Sequence, residues 1–408
     1  MRLCVISPFV DKQHGTERAL AELLTRLARE HNVQVDLYAQ RVTDELPLAA
    51  SNALSKGIGG ESEIQWHKVP SIPGPHLFQF VWWYFANRFR RRADQRKTLE
   101  SPDLVYSPGI NASDAEVITV HVVFHAHHEK VGEQLRLLRH SPSQWPVLIH
   151  RRLYYRLLRA LERRVYGDKA VALSAVSQAI AKQMEQFFGR SDALVIRHGV
   201  DIAEFNSAAR LQRRAAARRL FGISPDEYVY LLIGNDWKNK GLDTLLPALA
   251  ACVDLRVSLL VVGKDARDPY LQECKKLGIE SRVAFLEPSA DVMQFYAAAD
   301  AYAGPSLEDA YGLPILEAMA CGLPVIVSAA AGASEIVVDD ENGFILREAK
   351  DSSALALLMR KLATSPELAN ALGKAAEATA ATQSWDAHAD RMFAHFEEIV
   401  ARKKRQAE

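Results

Sequence analysis

An alternation of strand and helix opens the chain and then starts over in its second half, and few folds accommodate that. Residues 2–7 are a short apolar run closed by Pro8. Over residues 16–30, Leu20, Leu23, Leu24 and Leu27 recur at helical spacing, and residues 33–39 alternate as a strand does. Strand, helix, strand is the unit of a parallel sheet covered by helices. Further strands are expected at 104–107 and 116–121, a long basic helix at 147–166, and strands at 170–174 and 193–197 around a helix at 178–188. After His198-Gly199-Val200-Asp201 the order restarts. Strands at 228–233, 257–262, 283–286, 301–303 and 324–328 alternate with helices at 242–252, 270–277 and 315–321, and a last helix starts near Trp385. Two successive α/β lobes meeting between 190 and 210 are the simplest reading. Residues 41–100 are harder: the glycines at 57–60 mark a loop, and Pro70, Pro73 and Pro75 break the chain.

The 408 residues carry 50 basic and 50 acidic side chains, and a net charge of zero argues against a nucleic-acid partner. The balance conceals a difference: residues 1–200 hold 27 Lys and Arg against 20 Asp and Glu, and residues 201–408 hold 23 against 30. Four scattered cysteines without a C-x-x-C pair argue against a zinc site or a disulfide framework. Asp11 and Lys12 cut the apolar start short, so no secretory leader is expected and the location expected is cytoplasmic.

The most informative stretch runs from Pro305 to Pro324. Pro314 fits a first helical turn, where its missing N–H costs nothing, and Gly322 fits the position just past the end. The helix start then lies in a loop with Gly312, where free N–H groups converge and an anion such as a phosphate is favoured. Asp309 precedes this helix and Glu317 lies within it. A carboxylate is a natural acceptor for a sugar diol, so the pattern describes a site for a nucleotide-sugar diphosphate. Helix capping plus a surface acid is the plainer alternative.

This stretch resembles the signature of retaining nucleotide-sugar glycosyltransferases of the GT-B fold, the large group 1 family with glycogen- and sucrose-synthase-like members. Residues 196–205, 233–241, 282–306 and 332–344 are similar to further segments of that family. The resemblance implies two Rossmann-like lobes across a cleft, residues 1–195 on the acceptor side and 196–383 on the donor-nucleotide side, with a helix at about 384–408 crossing back to the first. It implies that Glu317 holds the ribose hydroxyls, that Asp309 faces the donor sugar, and that Gly312 and Leu313 offer backbone N–H groups. Lys240 would neutralise the leaving diphosphate. Asn235 stands where the family often has Arg, with Lys238 as a candidate replacement; Glu308 is the alternative to Asp309. The N-terminal loop reads His14-Gly15-Thr16, with Gly15 allowing close approach to the donor.

His121, at the carboxyl end of a strand, matches a histidine that contacts the donor sugar in family members, with His125 as its rival. No cofactor or metal is expected: Asp339-Asp340-Glu341 precedes Asn342-Gly343 and reads as a solvated turn. The acceptor implied is a hydroxyl on a glycan or glycolipid. A phosphorylase or epimerase of the same fold, and a non-catalytic membrane-docked scaffold, are the alternatives; a dinucleotide dehydrogenase lacks its G-x-G-x-x-G. Residues 78–85 are aromatic and precede Arg88, Arg90, Arg91 and Arg92, and the helix at 147–166 adds six arginines. Such clusters suit an anionic membrane surface at the inner face; an aromatic core helix with solvated arginines is the alternative.

Overall fold

A computed structural model of the chain describes residues 1–12, 15–43, 46, 48, 64–98, 101–137 and 141–407. The loop expected at 57–60 lies outside the described residues. The chain divides into two units, Met1–Arg197 with His388–Glu408, and His198–Ala387.

In the first unit β1 (Arg2–Ile6) leads through the short β2 (Phe9–Val10) to α1 (Gly15–Arg29), β3 (Gln34–Ala39), the short β4 (Arg41–Val42) and β5 (Ile64–Lys68). Helix α2 (His76–Thr98), β6 (Leu104–Pro108), β7 (Val117–Val120), α3 (Phe124–Val131) and α4 (Trp145–Tyr166) follow, then β8 (Ala172–Ala175), α5 (Gln178–Phe188) and β9 (Leu194–Val195). The seven-stranded sheet has the order β5-β3-β1-β6-β7-β8-β9 and is parallel throughout. α1 buries the expected leucine stripe together with Leu3, Val5, Val35 and Leu37 of the sheet. Burial of one such side chain contributes about 1.5–3 kcal/mol.

The second unit repeats the plan. Its elements are α6 (Ser207–Leu220), β10 (Tyr228–Ile233), α7 (Leu242–Ala250), β11 (Val257–Val262), α8 (Asp268–Leu277), β12 (Val283–Leu286) and α9 (Met293–Ala298). β13 (Ala301–Gly304), α10 (Leu313–Ala320), β14 (Val325–Ser328), β15 (Phe344–Leu346), α11 (Ser352–Ala363) and α12 (Pro366–Ala381) complete it. The parallel order is β12-β11-β10-β13-β14-β15. β10 and β11 are almost wholly buried, which is why both read as unbroken apolar runs. Helix α13 (Trp385–Ala407) starts in the second unit and from His388 belongs to the first, where Ala389, Met392, Phe396 and Ile399 join the core.

Each sheet reverses direction once, between β1 and β6 and between β10 and β13. The carboxyl ends of the strands at such a reversal are where open α/β sheets take ligands. All four cysteines are buried, and burial pushes the Cys4 thiol up to about 12. Among the described residues no helix is long and apolar enough to cross a membrane.

Candidate functional site

In the second unit two loops leave the reversal point, one after β10 and one after β13. The first carries Asn235 and Lys240. The Asp265 carboxylate holds it by accepting from the Asp236 and Trp237 backbone N–H groups at 2.9 and 3.2 Å. Asn235 Oδ1 accepts from the Lys264 N–H at 3.0 Å, and Trp237 is fully buried beneath the turn. Gly241 ends the loop at φ +82°, where any Cβ would overlap the Pro305 carbonyl. This close approach brings the second loop alongside: Leu307 N–H donates to the Asn239 carbonyl at 2.7 Å, and Asn239 Nδ2 donates to the Glu308 carbonyl at 2.8 Å. The outcome is an ion pair, Lys240 Nζ to Asp309 Oδ2 at 2.5 Å, with both side chains mostly covered. Lys240 and Asp309 are therefore brought together; Lys238 is exposed on the same loop.

The spacing of the second loop places Pro314 in the first turn of α10 and Gly322 just beyond its end, at φ +69°. Gly312 caps the helix start at φ +94°, and a Cβ there would press on Ile315 and approach Asp309 Oδ2 to 3.3 Å. Asp309 is fixed by its backbone: its N–H donates to the Ala330 carbonyl and its carbonyl accepts from Gly332. Leu313 opens the helix, and Glu317 sits one turn inside it, buried. The buried Tyr296 of α9 donates its hydroxyl to Glu317 Oε2 at 2.5 Å. Burial and the Glu317 charge push the Tyr296 phenol far up, so it remains a donor. Tyr302 of β13, also buried, feels both carboxylates, and burial with those charges raises its phenol. The sequence singled out neither tyrosine, nor Asp265: each is an ordinary core or turn residue until the fold brings it to the site.

In the first unit the strand 116–121 expected from sequence ends at Val120, and His121 follows it directly. Its ring nitrogens are shielded from solvent, and burial with the nearby His388 pushes the imidazole down to about 4. His125 differs. It lies in the first turn of α3, buried, with Nδ1 2.6 Å from Glu162 Oε2 of α4. Glu162, fully buried, also accepts the Phe124 and His125 backbone N–H groups at 2.6 and 3.0 Å. One carboxylate thus caps α3 and holds His125, while the rings of Phe187 and Phe188 lie against that histidine. The rival to His121 is thus held to a neighbouring helix. Gly15 is the first residue of α1; His14 lies outside the described residues.

Among the described residues no group of three or more His, Cys, Asp or Glu could hold a metal ion. Asp339 and Asp340 form a turn, with Asp340 N–H donating to the Gly343 carbonyl at 3.0 Å. The arginine cluster needs a correction. Arg91 is not solvated: it is buried and forms a forked pair with Asp114, at 2.7 and 3.1 Å.

Two family models match the chain in succession. The family model of group 1 glycosyl transferases matches residues 214–379, and that of glycosyltransferase family 4 matches residues 14–204. A D-inositol 3-phosphate glycosyltransferase of Segniliparus rotundus is 32% identical over 251 residues, a match covering 58% of this chain and 55% of that protein. The chain thus spans little more than half the length of that curated relative. Among solved structures, WaaG, a glycosyltransferase involved in lipopolysaccharide biosynthesis, is similar with TM-score 0.75 at 21% identity, covering 96% of this chain and 98% of its own. Anabaena Alr3699/HepE in complex with UDP and glucose is similar with TM-score 0.69 at 21% identity, covering 98% of this chain and all of its own. At these identities the likeness is one of fold, and the fold is GT-B.

Proposed function

The chain belongs to the group 1 glycosyltransferase family, and from that premise we propose that it transfers a glycosyl group from a nucleotide-diphosphate sugar to a hydroxyl acceptor with retention of configuration. The observation that carries this reading is the Lys240–Asp309 pair at the sheet reversal, beside the start of α10. A diphosphate arriving there supplies Lys240 with a stronger anionic partner and releases Asp309 for the sugar. Lys240 then faces the charge that grows on the leaving phosphate, where stabilisation acts on the transition state. The Gly312 and Leu313 amides add the helix-end field. Glu317, which accepts the Tyr296 hydroxyl, meets the ribose hydroxyls in this reading. Asn235 and Gly15 line the donor, and His121, neutral at physiological pH, contacts the sugar. Retention follows a front-face course in which the leaving phosphate takes the acceptor proton; no protein nucleophile and no metal is needed.

The acceptor in this reading is a glycan or glycolipid hydroxyl, presented at the inner face of an anionic membrane. The solved relative WaaG acts in lipopolysaccharide biosynthesis, and the HepE complexes contain UDP with glucose or UDP-glucose. Both fit a nucleotide-sugar donor and a lipid-linked or polymeric acceptor.

Two substitutions test the division of labour. Glu317→Gln should weaken nucleoside-diphosphate affinity by about 10- to 150-fold, the loss of one charged hydrogen bond. Asp309→Asn should leave that affinity intact, because it frees Lys240, and should lower kcat instead. Calorimetry with UDP, GDP and ADP beside steady-state kinetics reads both. Abolished nucleotide binding in Asp309→Asn, with Glu317→Gln unaffected, would overturn the assignment.

A further inference from the structure

Helix α2 is built inside out. Along one face, at intervals of four, three and four residues, stand Phe78, Trp82, Phe85 and Phe89, which are 61, 41, 53 and 71% exposed. At 100° per residue these four fall within about 60° of arc. The same face continues with Arg92 and Arg96, both exposed. The opposite face is the buried one, and much of it is polar. Asn87, with no exposed surface, donates Nδ2 to the Trp83 carbonyl at 2.7 Å and to the Asn111 carbonyl at 3.2 Å. Arg91 is locked into its forked pair with Asp114, and Asp94 receives His67 Nδ1 at 3.4 Å. Only Trp83 gives this inward face a large buried apolar group.

A helix bathed in water on its outer side has no physical reason to send its aromatics out and its amide, guanidinium and carboxylate in. We infer that the outward face of α2 docks on an anionic lipid bilayer, with Phe78, Trp82, Phe85 and Phe89 entering the headgroup–acyl boundary and Arg92 and Arg96 meeting lipid phosphates. This deepens the membrane clause of the proposed function and rests on it for its purpose, not for its evidence. Charge complementarity selects the bilayer over a second copy of the chain. The stripe ends in two cations, Arg92 and Arg96. The stripe itself holds no carboxylate, so two copies meeting through it would bury these arginines without an anionic partner on that face. Phe and Trp beside Arg is the composition of helices that lie in a membrane interface.

The test is co-sedimentation of the full chain with phosphatidylcholine vesicles, with and without phosphatidylglycerol. Binding is expected only with the anionic lipid, and it should weaken as salt rises. Phe85→Ser combined with Phe89→Ser should cut partitioning by about 10-fold or more. Arg92→Ser with Arg96→Ser should cut it less and flatten the salt dependence. Unchanged circular dichroism and melting temperature certify that both variants fold. Binding that ignores lipid charge, or no binding, overturns the inference. So does a concentration-dependent dimer abolished by the phenylalanine substitutions, which would make the stripe an interface between copies. UDP calorimetry on the same preparation separates the two readings: vesicle binding lost with nucleotide binding kept overturns this inference alone.

Discussion

The two units share a sheet plan and manage charge in opposite ways. In the second, each charged group of the candidate site has its partner beside it: Lys240 with Asp309, Glu317 with the Tyr296 hydroxyl. Of the thirteen histidines in the chain, His198 alone lies in that unit. The first unit keeps the other twelve and the larger share of the arginines, and burial holds His121, His125 and His388 near 4. The second unit thus holds an ion pair and a hydrogen-bonded carboxylate beyond its strand ends. The first unit carries uncharged histidine rings inside and many arginines outside, Arg91 and Arg190 being buried and paired with Asp114 and Asp192. One topology serves both because ligand chemistry resides in loops beyond the strand ends, which the sheet positions without dictating.

The largest expected effect tests the exchange of partners. Lys240→Ala should lower turnover by about 10²- to 10³-fold, the range seen when one preorganised donor is removed from a developing oxyanion. Steady-state kinetics with saturating donor reads it, and a loss confined to KM would return Lys240 to simple binding.

The next pair separates two histidines four residues apart. His125→Ala leaves the fully buried Glu162 without its side-chain hydrogen-bond partner, and leaving a buried polar group unsatisfied costs about 1–3 kcal/mol. Its signature is a lowered unfolding midpoint in urea. His121→Ala should cost little stability and about 10²-fold in turnover. If His121→Ala unfolds the protein while His125→Ala merely slows it, the two roles are reversed.

The smallest effect is a pH dependence that divides the units. His121 and His388 titrate near 4 in the fold against 6.5 when free, so the unfolded chain binds more protons between those values. Stability from this source is complete above about 6.5, falls as the pH drops, and is lost by about 4, at roughly 3 kcal/mol per histidine. Glu162, raised to about 7 by burial, pulls the other way and blunts the slope from its own helix. Hydrogen-exchange protection factors at β7, corrected for the intrinsic rate at each pH, should therefore fall on acidification to pH 5 more than those at β10. An equal loss of protection in both would remove the contrast.

How much of this was legible in the chain depends on range. The punctuation of α10 was legible: Gly312, Pro314 and Gly322 act on the backbone beside them, and the helix begins and ends where they require. β10 and β11 were legible because buried parallel strands are unbroken apolar runs. The partners of the site were not. Tyr296 stands 21 residues from Glu317, and Asp309 lies 69 residues beyond Lys240, so only the sheet order brings them together. α6 escaped notice because its face is alanine and arginine, with little apolar contrast to give a period. α2 is the instructive failure. Aromatic and basic residues were visible, but which of them face inward depends on Asn111, Asp114 and His67, all supplied by other elements.

The burial of all four thiols carries a practical consequence. Cys4, Cys252, Cys274 and Cys321 are enclosed, and burial raises each toward the protonated, unreactive form. A maleimide added to the folded protein should therefore find nothing to alkylate. The native chain is already a blank background for site-directed labelling, with no cysteine to remove first. A single Phe89→Cys substitution, carrying an environment-sensitive dye, would report from the outer face of α2 without a competing signal.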